Sequence, residues 1–493
     1  MAARSEPVAV VGAGMGGLVA AALLAARGRA VIVLDKADGP GGKIREVEVD
    51  GVRLGAGPAL LTLRPLFEDI FAAAGDSLAG RVTLRPEPLL GRHAWADGAR
   101  LDLPVEAEAA ADAIGAFAGP AALRGYRSFR DRARRIHDAL ETPFLRAHRP
   151  SALSLASQAG LRGLLGASPF GTLWDALGEH FPNPRLRQVF ARVATYVGSS
   201  PLKAPATLML VAHVELQGLW AVEGGLARLA EALEAVARDR GATFRYGAEV
   251  REIIVAGGRV AGIRLADGET LPAGAVVVNA DASAIGAGRF GTAVAGAVER
   301  TPVERRSFSA ITWALRARTE GIAPAAQTVV HADDPTAEYA ELGYRARLPT
   351  VPTVTVWGHD RLAGATPPEG PERLLVMVNA PARADLRPQA PEAVARCGET
   401  AFERLRRAGL TVHRRPEAEH VTTPDDFDRL FPGTGGALYG PAVHGWQAAF
   451  SRPGARTKLP GLFLAGGSTH PGAGLAMAAL SGRSAAAQVI GEG

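Results

Sequence analysis

Gly12-Ala13-Gly14-Met15-Gly16-Gly17 has the spacing that folds a backbone tightly around a diphosphate. Gly12 permits the sharp turn, Gly14 lets a pyrophosphate approach the main chain, and Gly17 allows close helix–strand packing, while the start of the helix offers free N–H groups to the anion. Asp35 follows about twenty residues on, where a carboxylate accepts the hydrogen bonds of ribose hydroxyls. A second loop, Asp38-Gly39-Pro40-Gly41-Gly42-Lys43, is flexible and cationic. Near the other end, Ala465-Gly466-Gly467-Ser468-Thr469-His470-Pro471-Gly472-Ala473-Gly474 joins a strand to a helix and supplies a second positive helix end. The first motif alone does not separate flavin from nicotinamide dinucleotides. Two helix ends facing one elongated ligand argue for FAD, whose reduced form gathers negative charge near its pyrimidine ring.

Residues suited to acid–base work are sparser. His213 and Gln217 lie one helical turn apart with Glu215 between them, and His444-Gly445-Trp446-Gln447 puts an imidazole, an indole N–H and an amide just ahead of the terminal loop. His444, Gln447 and His213 are candidates for contact with the reacting substrate, and each is equally suited to a structural hydrogen bond. His470, before a proline, is suited to shaping its own turn. No triad, carboxylate pair or metal-ligand cluster stands out in the sequence, so no metal is expected.

The elements that must position these residues follow from periodicity. Val8–Val11 and Val31–Leu34 read as strands flanking a helical run that ends at Gly28, a βαβ-type unit. From about 105 to 240 the pattern is mostly helical, with candidates at Pro120–Leu140, Ser151–Leu165 and Phe170–Gly178, and with Leu226, Leu229, Leu233 and Val236 on one face of a helix closed by Gly241. A β-meander is predicted next, over Thr243–Tyr246, Glu249–Val255, Arg259–Leu265, Glu269–Leu271 and Val276–Asn279. Further strands are expected at Ser309–Leu315, Thr353–Trp357 and Leu374–Val378, then a helix over Pro391–Ala408 and a last strand–turn–helix unit from Leu462.

At 493 residues the chain exceeds what one hydrophobic core supports, so two domains or two interleaved ones are expected. A hydrophobic content of 47% against 21% charged residues excludes a disordered or fibrous chain. The single cysteine, Cys397, cannot close an intramolecular disulfide, which fits a reducing compartment. Lys36, Lys43, Lys203 and Lys458 are the only lysines, so 51 of the 55 basic residues are arginine, scattered in a way that suggests no nucleic-acid site. Pro7 to Ala26 carries no charge over the length of a membrane span, yet its glycine cluster argues for a turn and helix. With no span or leader expected, the protein is placed in the cytoplasm.

The glycine motif with Asp35, Pro40-Gly41-Gly42-Lys43, Gly57-Pro58 and Gly466–Gly474 together resemble the carotenoid desaturases, flavoproteins similar to phytoene desaturase within the amine-oxidase-like superfamily. Trp220 to Asp281 resembles that family's central return to the cofactor domain. His93-Ala94-Trp95-Ala96-Asp97-Gly98, Tyr196-Val197-Gly198-Ser199-Ser200-Pro201, Ala204-Pro205-Ala206-Thr207-Leu208 and Gly467–Gly472 resemble the branch of 1-hydroxycarotenoid 3,4-desaturases, also called methoxyneurosporene dehydrogenases. The resemblance implies an α/β fold in which a discontinuous Rossmann-type FAD-binding domain, at 5–75, 218–295 and 430–493, is interleaved with an α+β substrate domain at 76–217 and 296–429. It implies FAD held by Gly12, Gly14, Gly17, Asp35, Lys36, Gly42, Lys43, Val250, Gly466, Gly467, Gly474, Leu475 and Met477. It also implies desaturation at C3–C4 of an acyclic 1-hydroxy or 1-methoxy carotenoid, in the pigment synthesis that serves photosynthesis. Oxygen or a quinone would be the electron acceptor.

The sequence departs from the family pattern at three places. Lys43 stands where an arginine is usual, Gly55 where an aspartate often precedes the Gly-Pro pair, and Gly467-Ser468 where an acidic residue is common. Other readings are a desaturase of phytoene or another carotene without a hydroxyl, and a prenyl-lipid carrier of the same fold; a carrier would not need the dinucleotide motif. A polyene of this kind must come from a bilayer, so peripheral membrane association is expected. Phe144 to Trp174, rich in leucine and arginine and poor in acids, could form the interfacial contact or be a buried insert.

Overall fold

The structure is a computed structural model that describes residues 6–148, 150–151 and 171–491. A five-stranded parallel sheet runs in the order Leu462–Leu464, Ala275–Val278, Val8–Val11, Val31–Leu34, Thr243–Arg245. Four of its strands are continuous apolar runs because both faces are covered, and only the edge strand Thr243–Arg245 departs from this. Val8, Val10, Val31, Val33 and Val277 pack with the helices Met15–Ala26, Ala227–Asp239 and Leu475–Ile490, whereas Ala9, Val11, Leu34, Val276 and Val278 point into a second cluster. That second cluster is covered by an antiparallel sheet of Val250–Ala256, Arg259–Leu265 and Thr270–Pro272.

This arrangement changes the predicted meander. Only its three middle strands pair with one another; the first and last, Thr243–Arg245 and Ala275–Val278, join the parallel sheet. The apolar run Ala275–Val278 is buried at every position, the pattern of a central parallel strand.

The second large sheet has eight strands. It runs Leu410–His413, Ser309–Gly321, Glu372–Ala380, Val354–Gly358, Gln327–Val330, Leu89–Ala94, Arg100–Pro104, with Glu419–Thr422 also pairing on Ser309–Gly321. Alternation decides its faces. Ile311, Trp313, Val354, Val356, Leu374 and Val376 pack on the helix Pro391–Arg407, through Cys397, Ala401 and Leu405. Thr312, Gln327, Val329, Thr355, Trp357, Leu375, Met377 and Asn379 face the other way, into a cavity. The strands Leu89–Ala94 and Arg100–Pro104 flank the turn in which His93–Gly98 ends, and the periodicity of the sequence predicts neither strand.

Helices roof that cavity. Ala107–Ala118, Pro120–Leu140, Leu173–His180, Pro184–Thr195 and Met209–Leu216 share one core built on Tyr126, Phe129, Phe181 and Phe190. The predicted helix Ser151–Leu165 and most of the proposed membrane-contacting stretch lie outside the described residues. Among the described residues no helix is long and apolar enough to cross a membrane.

Candidate functional site: a glycine cradle that opens into an apolar chamber

The glycines at the head of the parallel sheet are there because a side chain would collide. A Cβ on Gly17 would sit 2.0 Å from the carbonyl oxygen of Gly12, and one on Gly14 would sit 2.6 Å from Asn279 Nδ2. Gly12 itself adopts φ +102, a conformation that an L side chain rarely takes. The second glycine loop folds over the first, Gly41 N–H donating to Ala13 O at 2.9 Å. Asp35 closes the edge, accepting from Ala13 N (2.7 Å) and Ala37 N (2.8 Å) and keeping further lone pairs for a ligand.

The two helices that begin at this cradle, Met15–Ala26 and Leu475–Ile490, start at glycines, with no capping side chain and no acidic residue in the first turn. Several helices elsewhere are capped, with Glu106, Thr172, Asn183, Asp334 and Thr423 each accepting from first-turn N–H groups, while others such as Pro120–Leu140 and Ala227–Asp239 also lack a capping side chain. Uncapped N–H groups at a cavity wall fit a diphosphate and a flavin ring, and a Cβ would fill the cradle that holds them. The residues present therefore fit FAD.

A single continuous cavity of about 1320 Å³ runs from this cradle to the floor of the second sheet. It exceeds the roughly 300–1,000 Å³ of ordinary ligand pockets. Gly12, Gly14, Asp35, Lys36, Gly42, Lys43, Val250, Gly466, Gly467, Gly474, Leu475 and Met477 all line it. Gly17 lies behind the wall, against Gly12.

The family departures have local explanations. Where an aspartate would stand, Gly55 meets the His359 ring, whose Nε2 donates to the Gly55 carbonyl at 3.0 Å; a Cβ there would lie 3.0 Å from the ring. The Lys43 ammonium donates to Leu438 O and lies 5.2 Å from the Phe431 ring centroid, with burial pushing its pKa down and Asp281 pulling it back up. In the terminal loop, Arg452 donates to Gly467 O (2.7 Å), Tyr439 O (3.0 Å) and Pro441 O (2.7 Å), and burial pushes its pKa down to about 10. Ser468 Oγ accepts from Ala282 N at 2.9 Å.

His444, Gln447 and His213 do not line the cavity. His444 Nε2 accepts from Ser200 N at 3.1 Å, Gln447 is exposed, and His213 Nε2 pairs with Gln217 at 3.2 Å. His213 also lies with His137 and Asp138 in a cluster whose ligand-type atoms fall within 4.8 Å of one another. His470 Nε2 donates to Phe144 O at 2.8 Å.

The sequence reading missed the polar groups that do reach the cavity. Arg192 and Glu215 form a buried ion pair at 3.0 Å, Arg192 Nε donates to Tyr196 Oη at 2.9 Å, and Tyr196 donates to Gln327 Oε1 at 3.0 Å. All four line the wall. Burial raises the Glu215 carboxyl above its ordinary value, against the pull of the Arg192 guanidinium. Arg192 and Tyr196 are four apart at the end of one helix, a spacing visible in the sequence; their distance from Gln327 in the chain hid the rest. Asn279, which ends a central strand and donates to Gly12 O at 3.3 Å, was also missed.

Residues 15–490 match the family described as flavin containing amine oxidoreductase, and the chain belongs to that family. Within it, the chain is 46% identical to the hydroxyneurosporene desaturase of Rubrivivax gelatinosus, over 98% of this chain and 93% of that one, and 43% identical to the hydroxyneurosporene desaturase of Cereibacter sphaeroides, over 98% and 97%. The fold is shared with a putrescine oxidase bound to putrescine (TM-score 0.60, 14% identity, 99% of each chain) and with an oxidoreductase from Methanosarcina mazei (TM-score 0.60, 16% identity, 97% of this chain and 99% of that one).

Two outcomes test this site. Gly14→Val drives a branched side chain into Asn279 and should yield a folded protein that has lost most of its flavin absorbance; full flavin content would relocate the diphosphate. The second is acid sensitivity. Burial lowers His331 to about 3 and His359, His444 and His470 to about 4, all from an ordinary 6.5. The unfolded chain therefore binds more protons at these sites, so their stability contribution is complete above about 6.5 and is lost as pH falls towards 4. Glu338, raised by burial to about 7, acts in the opposite sense above its ordinary 4.5, as do Glu87 and Glu215, which burial also raises, but burial lowers His93, His180 and His213 as well, so the histidines outnumber the acids. Tm measured from neutral to mildly acidic pH should fall; a flat or rising Tm would contradict this balance.

Proposed function

We propose that this protein is an FAD-dependent desaturase that converts the C3–C4 single bond of an acyclic 1-hydroxy or 1-methoxy carotenoid into a double bond. One observation carries the reading: nearly full-length similarity to proteins named hydroxyneurosporene desaturase, in a chain whose glycine cradle opens directly into an apolar chamber. Bound FAD supplies a two-electron acceptor for the hydride that leaves one of the two carbons. In this reading the cofactor unit is assembled from about 5–75, 218–295 and 430–493, with Asp35 on the ribose and the two uncapped helix ends on the diphosphate and the flavin ring.

The rest of the work falls to the chamber. Val329, Trp357, Leu375 and Met377 from the sheet and Leu210, Val211, Val214 and Leu219 from the roof line it and exclude water from the polyene. The second hydrogen leaves the neighbouring carbon as a proton, after the conjugated chain has spread the positive charge left by the hydride. A strong base is therefore not required.

The protein takes its substrate from a membrane surface and passes electrons to a quinone or to oxygen. Leu145 and Trp174, near the two ends of the leucine- and arginine-rich stretch from Phe144 to Trp174, both line the cavity, which supports that stretch as the side of entry.

Purified protein with FAD and liposomes carrying a 1-hydroxycarotenoid should shift the pigment's absorption to the red; a shift with the plain carotene alone would move the substrate to that class. Oxygen-free assays with and without a quinone distinguish the acceptors. Replacing Leu164 and Leu165 together with glutamate should abolish co-sedimentation with liposomes while flavin stays bound, whereas retained co-sedimentation would rule this stretch out.

A further inference from the structure

The polar chain in the roof and floor of the chamber is costly to bury. Arg192 and Glu215 are each about 5% exposed, and a buried ion pair rarely outperforms apolar packing, so stability alone is a poor reason for placing one here. The pair does fix the direction of every proton in the chain. Arginine only donates, so Tyr196 Oη must accept from Arg192 Nε and send its own hydrogen on to Gln327. The oxygen of the Gln327 amide is thereby assigned as the acceptor. Its Nε2, on a side chain 3% exposed, is left with no partner among the described residues.

Gly91 leaves room at this point, since a Cβ there would come within 3.3 Å of Gln327 Oε1. On the same face of the sheet but three strands away, Thr312 Oγ1 is also buried without a partner among the described residues. Each orphaned polar group keeps an uncompensated desolvation penalty unless something pairs with it. A polyene brings nothing to pair. A tertiary hydroxyl brings one donor and two lone pairs.

We infer that Gln327 and Tyr196, braced by the Arg192–Glu215 pair, form the subsite that binds the oxygen on C1 of the substrate. The inference rests on the reading of the protein as a hydroxycarotenoid desaturase. The Gln327 amide donates to that oxygen, and the hydroxyl donates in turn to a remaining lone pair of Tyr196 or Glu215. A methoxy oxygen keeps the first bond and loses the second, so the order of preference is hydroxy, then methoxy, then the plain hydrocarbon. Tyr196 and Gln327 are specificity residues here, and Arg192 and Glu215 are positioning residues.

The test compares kcat/KM on a 1-hydroxycarotenoid, its 1-methoxy counterpart and the matching carotene, for the flavin-loaded parent, Gln327→Leu and Tyr196→Phe. The hydroxy-to-carotene ratio should fall about ten- to hundredfold in Gln327→Leu. It should fall less in Tyr196→Phe, where the amide is only freed to turn over. The hydroxy-to-methoxy gap should narrow in both. A parent that prefers the hydroxylated substrate, with variants that keep its ratio, overturns the inference and leaves the proposed function standing. Equal losses on all three substrates assign these residues a structural role and also overturn it. A parent with no preference overturns the reading and the inference together. Should Gln327→Leu fail to retain flavin, an unchanged ratio in Tyr196→Phe overturns the inference by itself.

Discussion

Everything in this molecule depends on how closely backbone can approach backbone around Gly16. A Cβ there would meet Asn279 Oδ1 and Gly466 N at 2.7 Å, and a Cβ on Gly482 would lie 2.2 Å from Gly16 O. Three stretches remote in sequence, the first helix, the strand leading to Asn279 and the last strand–helix unit, therefore converge on one point, where both helices present glycine and only the Asn279 side chain enters. The order of the parallel sheet, the exposure of two helix starts and the width of the cradle follow from that convergence. A methyl group would push the elements apart, and the diphosphate N–H groups would no longer face one ligand.

The cofactor half of the site was legible in the sequence because its chemistry is local. A glycine spacing, a carboxylate about twenty residues on and a second glycine-rich helix start each fit within a short window and carry their reason with them. The chamber was legible only as a composition. Its polar residues come from a helix end, a second helix and a sheet strand, and no sequence window contains Arg192, Glu215 and Gln327 together. The histidines that drew attention at 213 and 444 did so because imidazole suggests chemistry, yet the fold uses their ring nitrogens on Gln217 and on the Ser200 amide. The meander was misread for a related reason: an apolar run such as Ala275–Val278 does not declare which sheet will bury it.

The two sheets divide the work by how they treat their faces. The parallel sheet is apolar on both sides and contributes only its upper edge, where strands end and loops begin. The large, mostly antiparallel sheet is apolar on one side alone, where Trp313 and its neighbours meet the helix Pro391–Arg407, and offers the other as a floor with threonine, asparagine and glutamine set among leucine, methionine and tryptophan. Such a floor leaves a long hydrocarbon free to slide and gives it few places to be held, so register along the chamber has to be set by whatever polar group the ligand carries.

The placement of Leu462–Leu464 at the edge of the parallel sheet, beside Ala275–Val278, has a bearing on how the protein is made. A ribosome builds the first βαβ unit early, but the strand that flanks its sheet and the helix that packs on Met15–Ala26 emerge among the last residues. Until they arrive, one wall of the cradle is missing and the N-terminal glycine turn has only half of its ligand-facing surface. Before Leu462 is made, the nascent chain carries an open, apolar sheet edge, a state prone to association with other chains. Flavin capture thus has to wait for this segment: a chain cut short before Leu462 would keep its fingerprint motif and still have no closed pocket in which to retain the coenzyme.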